Sequence, residues 1–243
     1  MRAYETYFQE AARLLGEALA GQGEQIETAA RKIYGTLARG GMLYTFGTGH
    51  AHLLAEEIFY RAGGLARVCP MLDERLMLHL SASESTEWER KPGIAREVFD
   101  RYPAREGDVL IVISNSGRNA APVEMAALAR EKGLYVIALT SLNHSRESTP
   151  RNDLGKRLFE VADLVLDNRG IPGDAILPRA DGGAVGPTST VVGAALLQGI
   201  VCRVEELARD GGAVDFFVSS NINGGDAVNE RIIAAHRAAI RHL

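Results

Sequence analysis

From Gly40 onward the chain alternates short apolar runs with segments of helical length, and that rhythm leaves few ways to fold. Residues 42–46, 65–72, 108–113, 134–140 and 164–166 read as strands. Residues 53–62, 94–102 and 123–132 repeat their apolar positions at intervals of three and four, as helices do. The run at 109–113 is apolar at every position, which suits a strand covered on both faces. Strand–helix alternation of this kind predicts an α/β fold: a mostly parallel sheet flanked by helices on both faces.

Ahead of that body, Tyr4, Phe8, Ala11, Leu15 and Leu19, then Ile26, Ala30, Ile33 and Leu37, recur at helical spacing on either side of Gly21 and Gly23. They predict an N-terminal helical hairpin over residues 1–39, followed by the α/β body over 40–243, the whole forming one domain. A long helix is expected over 188–209 and another over 226–242, with Asp226 capping the latter. Residues 81–91 show no readable pattern. Residues 141–156 and 170–187 read as loops long enough to carry function.

Charge and composition narrow the partners. Lys and Arg total 27 against 31 Asp and Glu, a net charge of −4 without long runs of one sign, so a nucleic-acid partner is not expected. No apolar stretch is long enough to span a bilayer and the N-terminus lacks a basic-then-apolar leader pattern, so no membrane partner and a cytoplasmic location are expected. Cys69 and Cys202 are isolated and are expected to be buried, reduced thiols.

In an open parallel sheet, ligands bind beyond the carboxyl ends of the strands. Three loops there carry anion-binding chemistry. The first strand runs into Gly47-Thr48-Gly49-His50-Ala51-His52 and a helix, where glycines and a helix N-terminus offer backbone N–H groups. The strand at 109–113 runs into Ser114-Asn115-Ser116-Gly117-Arg118-Asn119, with two hydroxyls, a glycine and an amide suited to a phosphate monoester. Gly186-Pro187-Thr188-Ser189-Thr190 opens the long helix with a third hydroxyl cluster. Each has a plainer explanation: glycines allow close packing, and serine caps helices. A dinucleotide fingerprint lacks its third glycine at His52, a Gly-Lys-Ser/Thr phosphate loop is absent, and His50 with His52 specifies no third metal ligand, so neither cofactor nor metal is assigned.

The strand-Gly47-Thr48-Gly49 loop, Ser114-Asn115-Ser116-Gly117 and the hydroxyl-rich start of a late helix together resemble the sugar isomerase (SIS) domain. The likeness covers nearly the whole chain and is closest to stand-alone bacterial SIS proteins, with relation to N-acetylmuramic acid 6-phosphate etherases and phosphoheptose isomerases. It implies a flavodoxin-like three-layer sandwich, a phosphorylated sugar as ligand and a homodimer or homotetramer. By resemblance the phosphate contacts Ser114, Ser116 and Asn119, with backbone from the loops at Gly47 and Thr188. The chain departs from the family at Ala51, where a serine is usual.

The shared elementary step of such enzymes is removal of a proton beside a sugar carbonyl, commonly by a carboxylate. Glu57, on the helix after the first loop, and Glu89 are the leading candidates; Glu56 is a neighbour of the first. His50 and His52 are candidate proton shuttles, and His144 follows another strand and borders the same region. Ser116-Gly117-Arg118 resembles the etherase signature, so β-elimination on an N-acetylhexosamine 6-phosphate is the leading expectation. Aldose–ketose isomerisation is the alternative, and a non-catalytic sugar-phosphate sensor is the third.

Overall fold

A computed structural model describes residues 2–212 and 214–243. Two helices, α1 (Ala3–Gly21) and α2 (Gly23–Ala38), form the expected hairpin. The body then runs β1 (Leu43–Gly47), α3 (Ala51–Glu57), β2 (Val68–Pro70), α4 (Ala82–Arg90), α5 (Ile94–Phe99), β3 (Val109–Ile113), α6 (Ala120–Glu131), β4 (Tyr135–Thr140), α7 (Leu142–Glu147), α8 (Leu158–Val161) and β5 (Leu164–Asp167). A hairpin of β6 (Ala175–Pro178) and β7 (Ala184–Pro187) leads into α9 (Ser189–Gly211), and α10 (Gly225–His236) follows.

Five strands form one parallel sheet in the order β2-β1-β3-β4-β5. One core beneath it joins Tyr44, Phe46, Ile94, Val98, Leu110 and Val112 to the apolar faces of α5 and α6. The other joins Leu43, Ile111 and Leu139 to α2, α3 and α9. The residues of β3 point alternately into these two cores, which is why its sequence is apolar throughout rather than at every second residue. The strand order reverses between β1 and β3, whose ends pair Gly47 with Ile113, so the loops leaving them open into one crevice.

Several expectations change in detail. The helix expected at 53–62 ends at Glu57, because Tyr60 takes a left-handed φ of 41° and Gly63 follows at 75°. The strand expected at 65–72 shrinks to Val68–Pro70, since Leu65 instead bridges antiparallel to Phe216. Asp226 does not cap α10: left-handed Gly224 holds that place, and Asp226 lies in the first turn of a helix that stops at His236 rather than 242. The supposed loops contain α7 and the β6–β7 hairpin, and the unreadable stretch at 81–91 contains α4. Cys69 is buried, its thiol pushed up to about 11 by burial, but Cys202 is exposed, because the buried face of α9 is carried by Leu197, Ile200, Val201 and Val204. Among the described residues, no helix is long and apolar enough to cross a membrane.

Two polar side chains do work that apolar patterning cannot. Gln22, between α1 and α2, is buried and pairs with the backbone of β5: its Nε2 donates to Asp167 O at 2.7 Å, and its Oε1 accepts from Asp167 N at 2.6 Å. The side-chain amide thus closes the sheet edge as another strand would. Asp73, after β2, caps the turn Glu74–Leu76 by accepting from Arg75 N at 2.9 Å, and receives Arg75 Nε at 2.9 Å as well. Burial alone would raise the Asp73 carboxyl, but hydrogen bonds from Arg75 and Arg101 outweigh it and hold it down at about 2. That turn matters because Leu76 O accepts the N–H of Gly49 at 2.9 Å, fixing the loop after β1.

Replacing Gln22 by Ala leaves a buried N–H and C=O unpaired on β5, so urea denaturation is expected to show a loss of about 1–3 kcal/mol; an unchanged midpoint would show that water replaces both bonds. Asp73 is depressed, so its contribution is present above the unfolded carboxyl's range and lost as pH falls toward its folded value. Asp73→Asn is therefore expected to cost about 2 kcal/mol near neutral pH, and the gap from the parent protein closes as unfolding is followed from pH 5 down to pH 2.

Candidate functional site

A cleft of about 370 Å³ opens at the carboxyl ends of the strands. Its walls come from the loops after β1, β3, β4 and β5, from α4 and from the start of α9. Thr48, Gly49 and His50 line it from the first loop, and Ser114, Asn115, Ser116 and Asn119 from the second. Ser189 and Thr190 line it from α9, Glu89 from α4, His144 from α7, and Asp174 from the turn before β6. Among the described residues lining the cleft there is no Lys or Arg.

The β3 loop is built as a donor platform. Ser114 is buried, and its Oγ accepts from Gly117 N at 3.2 Å, which leaves its hydroxyl proton for an acceptor in the cleft. Gly117 must be glycine: it sits at φ 58°, and a Cβ there would lie 3.0 Å from Ser145 Oγ and 3.1 Å from Leu158 Cβ. Asn115 Oδ1 accepts from Asn168 at 2.9 Å, so the Asn115 NH₂ is left as a donor at the cleft wall. Asn119 is committed differently: its Nδ2 donates to Glu89 Oε1 at 3.0 Å and thereby orients the carboxylate.

The first loop offers less than its glycines promised. Gly49 N donates to Leu76 O, Ala51 N to Thr48 O and His52 N to Gly49 O, so these amides are spent inside the protein. Gly47 answers to packing: a Cβ would come within 2.4 Å of Ala51 O, and the residue is not among those lining the cleft. Thr48 is buried and lines the cleft.

The N-terminus of α9 is also occupied. Asp174 Oδ1 accepts from Thr188 N at 3.1 Å and Ser189 N at 2.9 Å, while Ser189 Oγ donates to Oδ2 at 2.5 Å. A carboxylate fills the anion seat at the helix start. Thr188 is completely buried, outside the cleft lining, and its Oγ1 is without a hydrogen-bond partner among the described residues.

The four candidate proton-transfer residues separate. Glu89 and His50 line the cleft, His50 as an exposed side chain at the α3 N-cap. Glu57 lies outside the lining, where its Oε1 accepts from Gln198 Nε2 at 3.0 Å and pairs with Arg61. His52 is buried and also outside the lining; its Nδ1 lies 2.5 Å from Gly49 O, closing the turn of its own loop. Sequence spacing missed Asp174 and Asn168 altogether; the only signal for Asp174 was a carboxylate inside a Gly/Pro-rich stretch. No group of three or more His, Cys, Asp or Glu able to hold a metal occurs among the described residues.

The model of the SIS domain matches residues 6–141. A UPF0309 protein of Listeria monocytogenes serotype 4b is 40% identical over 230 residues, spanning 94% of this chain and 93% of its own length. A UPF0309 protein of Shouchella clausii is 39% identical over 246 residues, spanning 100% of each. Among solved structures, phosphoheptose isomerase GmhA from Neisseria gonorrhoeae superposes with a TM-score of 0.57 at 20% identity, over 84% of this chain and 97% of that one. The Vibrio vulnificus NanR protein complexed with ManNAc-6P superposes with a TM-score of 0.50 at 15% identity, over 99% of this chain and 71% of that one. With the five-stranded parallel sheet and the serine-bearing loop after β3, these matches establish that the chain belongs to the SIS domain family.

Proposed function

We propose that this protein is an enzyme of phosphorylated sugars in which Glu89 removes the proton beside the sugar carbonyl. One observation carries the reading: Glu89, oriented by Asn119, lines the same cleft as the hydroxyls of Thr48, Ser114 and Ser116. A phosphate held by those hydroxyls and by the Asn115 amide leaves the sugar carbons over a carboxylate, the arrangement that proton abstraction needs. Two similar folds, one named as a phosphoheptose isomerase and one described in complex with ManNAc-6P, support a phosphorylated sugar as the ligand class.

The step after abstraction defines the product. We read it as β-elimination on an N-acetylhexosamine 6-phosphate, on the strength of Ser116-Gly117-Arg118. Return of the proton to the neighbouring carbon would make an aldose–ketose isomerase instead, the reading that the phosphoheptose isomerase likeness favours. The proposal includes a homodimer or homotetramer, supported by Tyr4, Phe8 and Leu19, which stand exposed along one stripe of α1.

Incubation with N-acetylglucosamine 6-phosphate in deuterated water is expected to label the carbon beside the carbonyl, with an unsaturated product seen by absorbance. A ketose without unsaturation would replace elimination by isomerisation. Glu89→Gln is expected to slow labelling by at least about 10²-fold, whereas Glu57→Gln leaves it near the parent rate; labelling that survives Glu89→Gln sinks the assignment of the base. Light scattering after gel filtration is expected to give two or four times the monomer mass of 26.2 kDa.

A further inference from the structure

Several histidines have internal work. His52 is held against Gly49 O, His236 Nε2 lies 3.2 Å from Asp215 Oδ2, and His242 Nε2 lies 2.9 Å from Tyr102 OH. His79 and His50 are exposed, the first away from the cleft and the second at its rim. His144 is different: it lines the cleft, and its Nδ1 is buried without a hydrogen-bond partner among the described residues. A structural histidine ties down at least one ring nitrogen, because a buried, unpaired polar atom costs free energy in the folded state.

The backbone that carries this ring is clamped. His144 N donates to Ser141 Oγ at 3.1 Å, and Ser148 Oγ donates to His144 O at 2.9 Å. Ser141 Oγ is fixed in turn by donating to Gly170 O at 2.6 Å. The backbone is thus fixed, while the ring, which lines the cleft, takes no hydrogen bond from the described residues and is left for a partner that the protein itself does not supply.

We propose that His144 is a second catalytic residue of this cleft, a neutral imidazole whose N–H donates to the sugar oxygen on which negative charge collects. The inference rests on the reading of Glu89 as base and adds the group opposite it. Glu89 takes the proton from the carbon beside the carbonyl, and the C–H pair becomes a carbon–carbon double bond. The carbonyl π pair moves onto oxygen, and the imidazole N–H hydrogen-bonds to that oxyanion while the proton stays on Glu89. The step serves elimination and isomerisation alike, since both begin at the same enolate.

The charges around His144 suit a neutral donor. Burial is the largest influence and lowers its pKa from the ordinary value; Asp174 opposes this, Arg118 reinforces it and Glu147 on the same helix opposes it. The net direction is down, so the ring is neutral at pH 7 and can donate without carrying a full charge into the cleft.

The test follows deuterium labelling of N-acetylglucosamine 6-phosphate, glucosamine 6-phosphate and fructose 6-phosphate by the full chain. His144→Ala is expected to lower the maximal rate about 10²–10³-fold, the cost of one oxyanion donor, with KM changed little. His144→Gln, which restores an N–H, is expected to recover part of the loss and to remove the fall in rate that ring protonation causes on the acid side of the parent's profile. Labelling by His144→Ala at the parent rate overturns the inference while leaving Glu89 as base. No labelling of any of the three sugars by the parent protein overturns the reading of function and the inference with it. Should the alanine variant unfold, ¹⁵N spectra of the parent's imidazoles decide: a His144 ring nitrogen that shifts on adding the labelled sugar supports the role, and an unmoved one overturns it.

Discussion

The cleft depends on Asn115. Its backbone carbonyl accepts both Ser141 N and Thr140 Oγ1 at 3.1 Å, and its side-chain oxygen accepts from Asn168. Asn168 N in turn donates to Thr140 O, and Asn168 Oδ1 accepts from Gly170 N. One residue at the end of β3 therefore sews together the chain leaving β3, β4 and β5. His144 inherits its position from Ser141, and Asp174 from the turn that Gly170 begins. Since each bond is partly or fully shielded from water, its loss would leave buried polar groups rather than merely a looser loop.

That junction also bears on how the proposed phosphate site would be made without a cation. The lining holds two carboxylates, Glu89 and Asp174, and two imidazoles, but neither Lys nor Arg among the described residues. Hydroxyl and amide dipoles at the end of β3 are left as the donors, and they are effective only because the junction fixes them before a ligand arrives. The α9 N-terminus, which on its own would attract an anion, already holds Asp174 through three hydrogen bonds. The positive end of the long helix dipole is thereby neutralised internally.

Reading the sequence recovers the parts of this molecule that repeat a physical period. The strands of the parallel sheet, the hairpin of α1 and α2, and α9 each bury a face whose spacing is written in Leu, Ile, Val and Ala. The serine-bearing loop after β3 is legible for the same local reason, because a strand must end before it and a helix begin after it. What is illegible depends on partners distant in sequence. Gln22 completes β5 from 145 positions away, and Asp174 caps a helix 15 positions ahead of it. α4 is polar on most sides, so no apolar period announces it, though Ser85, Thr86 and Glu89 line the cleft. The glycines of the first loop mislead in a related way: glycine permits an anion to approach, but it equally permits Ala51 O to approach Gly47, and only the packed structure distinguishes the two.

The contrast between Glu57 and Glu89 carries the same lesson to the chemistry. Spacing along a regular helix would aim Glu57 at the loop mouth two turns back. α3 stops at that very residue, however, and the left-handed turn at Tyr60 redirects the chain. Glu57 ends against α9, where Arg61 and Gln198 both bond its Oε1 as they would that of any surface carboxylate. Glu89 has one neutral amide from Asn119 and no salt bridge among the described residues, so its charge is oriented without being neutralised. A base needs a lone pair that is held in place yet still reactive. Asn119 holds Glu89 through one oxygen, and no cation pairs with that carboxylate among the described residues.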